Sequence, residues 1–305
     1  MKRVSHDIKS YSYSKLSRRG FTLIEIMVVI GIIAFLMTIA ITTYGFVFTT
    51  TKEKATKATI KIATELLNQR RDAFHRDIIN QDRKAGKGTP EYAINFMGQA
   101  GNDIELAKVL GKKDLFRRHF PQRYSESSEI SSPGGTHVAA TESAEVLYYM
   151  LTEGVTFGAN TADKDAFKSD QIKDTDGDGR MELVDAWGHP LRFYRWPTRL
   201  LRPGGGSIDL TQGAKLLMRA IPADNTKDPD DPVGLTSGLS NFESSYHTPD
   251  TYHAPLIVSG GADEELGLYE PNDITNFGHL AQPISGKRDA LTDNITNLNM
   301  QGGGE

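Results

Sequence analysis

The sequence contains no cysteine among its 305 residues. Disulfide bonds, thiolate nucleophiles and cysteine-ligated zinc sites are therefore excluded. Its eight histidines do not fall in His-x-x-x-His or similar metal-binding spacings. The Gly-x-Ser-x-Gly elbow, the phosphate-binding loop and the dinucleotide fingerprint are also missing. These absences predict that the chain is not an enzyme.

Outside the N-terminus, basic residues are outnumbered by acidic ones. Residues 1–20 hold six basic side chains and one acid, which leaves 29 basic against 38 acidic residues and a net charge of −9 for the rest of the chain. An acidic body disfavours nucleic acid as a partner. Basic residues ahead of an apolar run place the N-terminus in the cytoplasm and the bulk of the chain on the other side of a membrane.

The apolar run extends over 28 residues, from Phe21 to Phe48. A helix of that length measures ~42 Å at ~1.5 Å per residue, and about 20 residues are enough to cross the hydrocarbon core. We therefore predict a membrane-spanning helix. Glu25 interrupts the run, and a carboxylate in lipid indicates a functional residue with a partner. A secretory signal peptide is the alternative, but its small-residue cleavage site follows the apolar core. Here Gly20 precedes it, which suggests cleavage ahead of the helix.

The segment Arg18–Glu25, Arg-Arg-Gly-Phe-Thr-Leu-Ile-Glu, resembles the signal sequence of type IV prepilins and of type II secretion pseudopilins. The resemblance implies that a prepilin peptidase cuts between Gly20 and Phe21 and methylates the new amino group. Residues 1–20 would be a cytoplasmic leader. Glu25 would pair with the Phe21 ammonium of a neighbouring subunit in a homo-oligomeric filament. The other implied partners are membrane lipid and an inner-membrane assembly platform with its ATPase.

Apolar residues continue at helical spacing from Lys52 to Ile79. We predict one long helix over residues 21–80, transmembrane in its first half and ended by Gly86, Gly88 and Pro90. Its predicted core-facing stripe is Ala58, Ile62, Leu66, Phe74 and Ile78, with Ile60, Ala63 and Leu67 beside it.

Residues 81–170 are predicted to be a mainly helical insertion. Short helices are expected at Asp103–Leu110 and Lys113–Phe120, and a further amphipathic helix is expected after Thr141, stopped by Gly154.

An acidic loop begins at Asp174. Acids at its positions 1, 3, 5 and 12, with glycine at 6, match an EF-hand-type calcium loop. The predicted Ca²⁺ ligands are Asp174, Asp176, Asp178, the carbonyl of Arg180, and Asp185. A hard dication takes six to eight oxygen ligands, and the glycine allows the tight turn that aims alternate carboxylates inward. The alternative is an acidic hairpin or turn that holds no ion. Flanking helices are not predicted.

Residues 171–305 are predicted to form a β-rich, pilin-like head. Strands are expected at Leu191–Trp196, Ala214–Ile221 and Ala254–Ser259, a long loop at Asp224–Ser245, and a frayed tail at Gln301–Glu305. The segment Asp185–Pro190 resembles a Trp-Gly turn of major pseudopilins. Residues 259–264 and 271–274 resemble the calcium-carrying loop of that family, which makes Asp263 and Asp273 alternative ligands.

These expectations combine into an α+β protein: a long N-terminal membrane-spanning helix continues into a globular head with extra helices and a small antiparallel sheet. The predicted function is a structural subunit of a type II secretion pseudopilus or a type IV pilus-like filament. The protein would be stored in the inner membrane with its head outside the cytoplasm and assembled into a periplasmic or surface filament. The alternative is a membrane-anchored calcium-binding interaction domain that does not polymerise.

Overall fold

The computed structural model describes residues 21–134, 137–155, 157, 164–200, 228–249, 251–252, 254–287 and 289–298. The leader with Gly20, the predicted strand at 214–221 and the tail at 301–305 lie outside these residues. The described part is α+β, with a long N-terminal helix and small antiparallel sheets. This confirms the α+β class, the N-terminal helix and the small antiparallel sheets of the predicted fold.

Helix α1 runs from Leu23 to Ala85. It ends where Gly86 takes a left-handed conformation with φ of +59°, and Arg83 and Lys84 in the last turn suit the negative end of the helix dipole. The chain divides into two compact units, residues 1–48 and 49–305. Within the described part of the chain, no helix met the length and hydropathy required of a membrane-crossing segment.

The buried face of α1 in the second unit differs from the predicted stripe. Ala58 is exposed, and Ile62 and Leu66 are only partly buried. The buried apolar positions are Ile60, Ala63, Leu67, Ala73, Phe74 and Ile78. Because an α-helix has 3.6 residues per turn, side chains spaced strictly four residues apart drift around the helix. Side chains spaced alternately three and four residues apart stay on one face. The core therefore follows Ile60, Ala63 and Leu67 beside the predicted stripe, and Phe74 and Ile78 of the stripe itself are buried as predicted.

Helices α2 (Glu91–Ile94) and α3 (Ile104–His119) follow α1. The prediction of two short helices at 103–120 was wrong, because α3 runs through Gly111 without a break. A Cβ at Gly111 would lie 2.5 Å from the carbonyl oxygen of Tyr92. This glycine therefore permits close packing of α3 on α2 and does not end a helix. The Asp103 carboxylate caps the start of α3 by accepting from the backbone N–H of Glu105 and Leu106.

Helix α4 (Glu142–Thr152) confirms the helix predicted after Thr141. Five short strands follow or flank it in two antiparallel sheets. The first pairs β1 (Ile172–Lys173) with β2 (Glu182–Leu183), so the acidic loop connects two strands. The second has the order β3 (Arg192–Tyr194), β4 (Leu256–Ser259), β5 (Ile295–Thr296). Strands β3 and β4 lie within the ranges predicted for them.

Part of the predicted loop at 224–245 is helical. A 3₁₀ turn covers Leu235–Gly238, and α5 covers Phe242–Ser245. The carboxylate of Asp231 organises the turn, since it accepts from the N–H of Leu235 at 2.8 Å and of Thr236 at 2.9 Å. Further 3₁₀ turns lie at Tyr124–Glu126, Lys164–Ala166, Gly278–Leu280 and Asp289–Leu291.

Candidate functional site

The first turn of α1 forms a capping box between Thr22 and Glu25. The N–H and the hydroxyl of Thr22 both donate to Glu25 Oε2, at 2.7 and 2.8 Å, and the Glu25 N–H donates to Thr22 Oγ1 at 3.2 Å. This exchange satisfies N–H groups that have no partner at a helix start. Glu25 thus has a role within its own helix. Phe21 directly precedes Thr22 and is 83% exposed.

The large apolar side chains described from residue 21 to residue 39 are all exposed. Each retains at least 47% of its accessible surface. The set is Phe21, Leu23, Ile24, Ile26, Met27, Val28, Val29, Ile30, Ile32, Ile33, Phe35, Leu36, Met37 and Ile39. A continuous apolar surface of this kind indicates contact with lipid or with other protein chains.

The acidic loop between β1 and β2 is held by its own backbone. Asp174 accepts from the N–H of Gly177 at 2.7 Å and of Gly179 at 3.0 Å. Asp178 Oδ1 accepts from the N–H of Arg180 at 2.7 Å. Gly177 and Gly179 have φ of +79° and +90°, a region that side chains disfavour. The loop therefore gathers three of the predicted carboxylates, Asp174, Asp176 and Asp178.

Glu182 joins this loop, although the sequence did not single it out. Glu182 is fully buried, with 0% of its surface exposed. Its Oε2 accepts from the Thr175 N–H at 2.8 Å, whereas its Oε1 has no hydrogen-bond partner among the described residues. Burial and the neighbouring carboxylates of Glu145, Asp176 and Asp174 raise the pKa of Glu182 to about 7. One donor atom each from Asp174, Asp176 and Glu182 lie within 4.8 Å of one another.

A second set of donor atoms adjoins the loop and shares Asp176. His137, Glu145, Asp176 and Asp178 each offer an atom within 4.8 Å of the others. His137 precedes α4, and Glu145 projects from the first turns of α4. Burial raises the pKa of Glu145, despite the hydrogen bond from the Tyr124 hydroxyl. The Asp176 Oδ2 oxygen accepts from the Val138 N–H at 2.8 Å and the Thr141 hydroxyl at 2.9 Å.

Asp185, the predicted twelfth ligand, makes different contacts. Its Oδ1 accepts from the N–H of Trp187 at 2.8 Å and of His189 at 3.0 Å, and its Oδ2 accepts from the hydroxyl of Ser259 at 2.7 Å. The carboxylate therefore fixes the turn at 185–190 to strand β4. It belongs to neither group of potential metal ligands found among the described residues.

The alternative ligands Asp263 and Asp273 also shape their own turns. Asp263 Oδ1 accepts from the Glu265 N–H at 2.9 Å. The two oxygens of Asp273 accept from the backbone and side-chain nitrogens of Asn276 at 2.9 and 2.8 Å, and these bonds lower the pKa of Asp273. Neither residue is in a group of three or more potential ligands in the described part of the chain.

The sequence carried a signal for Glu182 but none for His137 or Glu145. Glu182 occupies position 9 of the acidic loop, where EF-hand loops often bind the ion through water. Glu145 stands 29 residues before the start of the loop, and only the packing of α4 brings it there.

Comparison with known proteins adds one finding. The family model described as the prokaryotic N-terminal methylation motif matches residues 15–41. Searches of curated proteins and of solved structures found no match. The matched residues include Phe21, Thr22 and Glu25, whose geometry is described above, and they support a type IV pilin-like or pseudopilin precursor. Residues 15–41 of this chain thus carry the prepilin-type signal of type IV pilins and pseudopilins.

Proposed function

We propose that the protein is a structural subunit of a type II secretion pseudopilus or type IV pilus-like filament, and that it polymerises through the N-terminal half of α1. The observation that carries this proposal is the methylation motif at residues 15–41, on a helix whose large apolar side chains are exposed from Phe21 to Ile39. Such a surface needs lipid before assembly and neighbouring helices afterwards.

The same surface supports the proposed location. The subunit is held in the inner membrane by the apolar part of α1, with the basic leader in the cytoplasm and the second unit on the far side. An assembly platform and its ATPase move it into a periplasmic or surface filament. Glu25 then exchanges its contact with Thr22 for the methylated ammonium of a neighbour's Phe21.

Processing tests this function directly. The mature protein is expected to begin at N-methylated Phe21, which mass spectrometry of protein purified from cells with the matching peptidase will detect. Gly20→Ala should be cleaved in part, while Gly20→Lys should block cleavage, because a small residue is needed beside the cut bond. Purified filaments whose subunits retain the leader would refute the assignment.

We further propose that the acidic loop binds Ca²⁺ through Asp174, Asp176 and Glu182, without Asp185. The unpartnered Oε1 of the fully buried Glu182 supports this, since a hard cation prefers several carboxylate oxygens. Calcium should raise the melting temperature of the full-length protein in detergent with increasing concentration, and magnesium should do so less. Asp174→Asn should reduce the shift, whereas Asp263→Asn should keep it. The opposite pattern would place the ion in the C-terminal loop.

The acidic cluster also favours the second candidate, a membrane-anchored calcium-binding interaction domain that does not polymerise. That protein would bind calcium as well, but it would have no need for a cleaved Gly20–Phe21 bond. Calcium binding combined with an unprocessed N-terminus and no filaments would favour this candidate over the first.

A further inference from the structure

Three carboxylates beside the acidic loop are buried around one imidazole. The side chains of Glu145, Asp176 and Asp178 are 1%, 5% and 0% exposed. Within the described residues, no lysine or arginine forms an ion pair with any of the three. Burying carboxylates that have no lysine or arginine partner is costly, and like charges this close repel one another. A cation among them would remove both costs.

The shortest distance around His137 matches the spacing of ligands on one metal ion, and two others exceed it by about 0.5 Å or less. Its Nδ1 lies 3.1 Å from Asp178 Oδ2, 3.6 Å from Glu145 Oε1 and 3.9 Å from Asp176 Oδ2. Ligands bound at ~2.1 Å to an octahedral or tetrahedral ion are ~3.0 to ~3.4 Å apart at neighbouring positions. Small side-chain movements would therefore bring these donors around a single ion.

One oxygen of the set is free to bind and is already oriented. Glu145 Oε1 is buried and has no hydrogen-bond partner among the described residues, whereas its other oxygen accepts from the Tyr124 hydroxyl. The Tyr124 ring also packs edge-on against the His137 ring, with centroids 5.4 Å apart. Outer contacts of this type hold the ligands of metal sites in place.

We propose that His137, Glu145 and Asp178, with Asp176 at the edge, form a divalent-cation site that is distinct from the proposed calcium site, with which it shares Asp176, and that takes a transition ion such as Mn²⁺ or Zn²⁺. Imidazole combined with carboxylates suits these ions better than calcium, whose ligands are oxygens. The ligands come from the segment before α4, from α4 and from the acidic loop. A bound ion therefore ties α4 to the β1–β2 hairpin, whether or not the protein forms filaments.

The test uses the full-length protein in detergent, stripped with chelator and supplied with one equivalent of Mn²⁺. Pulsed electron paramagnetic resonance should detect coupling of the ion to one ¹⁴N nucleus. His137→Gln should abolish this coupling and weaken Mn²⁺ binding at least about tenfold. His189→Gln is the matched control, because His189 also faces two carboxylates, those of Asp185 at 3.9 Å and Glu264 at 3.4 Å. This control should keep the coupling.

A wild-type Mn²⁺ spectrum without nitrogen coupling, or coupling that survives His137→Gln, would overturn the proposal. A variant counts as folded when its melting temperature in chelator equals that of the wild type. If His137→Gln does not fold, Asp178→Asn replaces it and should weaken Mn²⁺ binding. The calcium loop is tested separately by Asp174→Asn, which should reduce the calcium shift and leave the nitrogen coupling unchanged. If Asp174→Asn removes both the calcium shift and the nitrogen coupling, the two ions share one site, and the proposal of a second site is rejected.

Discussion

At the scale of single residues, Arg195 brings a full positive charge into the interior of the second unit, where it is 1% exposed. Its guanidinium donates to both carboxylate oxygens of Glu126, at 2.8 and 3.1 Å, and to the carbonyl of Phe120 at 2.8 Å. It also lies 4.3 Å from the ring centre of Trp196. The pair joins strand β3 to the segment after α3, so its charge state affects the whole core.

Burial alone would raise the pKa of Glu126, but the charge and hydrogen bonds of Arg195 and Arg123 outweigh it and lower that pKa to about 2. The unfolded value is ~4.3, so the pair contributes its full stability above about pH 4.3 and loses it as the pH falls towards 2. The loss amounts to about 3 kcal/mol. Urea unfolding of the wild type and of Glu126→Gln between pH 7 and pH 2 measures it as the difference between the two proteins, because Asp176, Asp228 and Asp273 also have lowered pKa values.

Glu126→Gln should lower stability at pH 7 by roughly 3–5 kcal/mol, because Arg195 is left buried without a counter-charge. The variant should also lose the Glu126 contribution to the pH dependence of its unfolding free energy between about pH 4.3 and pH 2. The matched control is Glu270→Gln, since Glu270 makes a similar two-point contact with Arg192, at 2.7 and 3.0 Å, in a more exposed place. The control should lose about 1 kcal/mol or less. Equal losses would show that burial does not set the value.

The carboxylates show what sequence could predict at this scale. Spacing found Asp174, Asp176 and Asp178 as a pattern of alternate acids in a glycine-containing loop, but the loop divides them between two groups that share Asp176. Spacing placed Asp185 with them, yet its oxygens are used by Trp187, His189 and Ser259. Strand β2 begins at Glu182 and ends the loop before position 12. The pairing of β1 with β2 therefore decides which acid faces the loop.

At the scale of elements, Gly111 shows how a packing contact can resemble a break in the sequence. A glycine between two apolar stretches predicts a helix end, but the requirement here is room for Tyr92 of α2. The partner is 19 residues away, so no local pattern reveals it. Helix α4 was predictable because its acidic first turn and apolar periodicity are local. The row of α1 side chains that faces the core likewise could not be predicted without knowing which elements pack against the helix.

Gly111→Ala should destabilise the protein although alanine is the better helix former. The new Cβ would lie 2.5 Å from the Tyr92 carbonyl oxygen and 2.9 Å from its ring. Overpacking of this type costs about 1–3 kcal/mol, and the gain in helix propensity returns about 1 kcal/mol. A net loss of up to about 2 kcal/mol is expected in urea unfolding. Gly98→Ala is the control, because a Cβ there meets no atom within 4 Å, and a similar loss in that variant would contradict the packing explanation.

At the scale of the whole molecule, the two compact units differ in how far their apolar side chains are exposed. Residues 21–39 expose apolar side chains almost without interruption, whereas the second unit buries a continuous core that includes Leu67, Phe74, Phe120 and Trp196. The apolar surface of the first unit therefore calls for lipid or other chains, whereas the large apolar side chains of the second unit are gathered in a buried core. This division fits a subunit that is anchored first and polymerised later.

Glu25 separates assembly from folding, because it has one role in the monomer and another in the proposed filament. In the monomer it caps α1 through Thr22, and glutamine can replace glutamate in a capping box. Glu25→Gln should therefore leave α1 capped and processing normal, yet filament assembly should fail because the neighbour's Phe21 ammonium finds no negative charge. Thr22→Val removes the cap and keeps the charge, so its filaments should still form. Electron microscopy and sedimentation of sheared filaments, with mass spectrometry of the mature N-terminus, measure the outcome. Normal filaments from Glu25→Gln together with none from Thr22→Val would show that helix capping, and not charge pairing between subunits, is the function of Glu25.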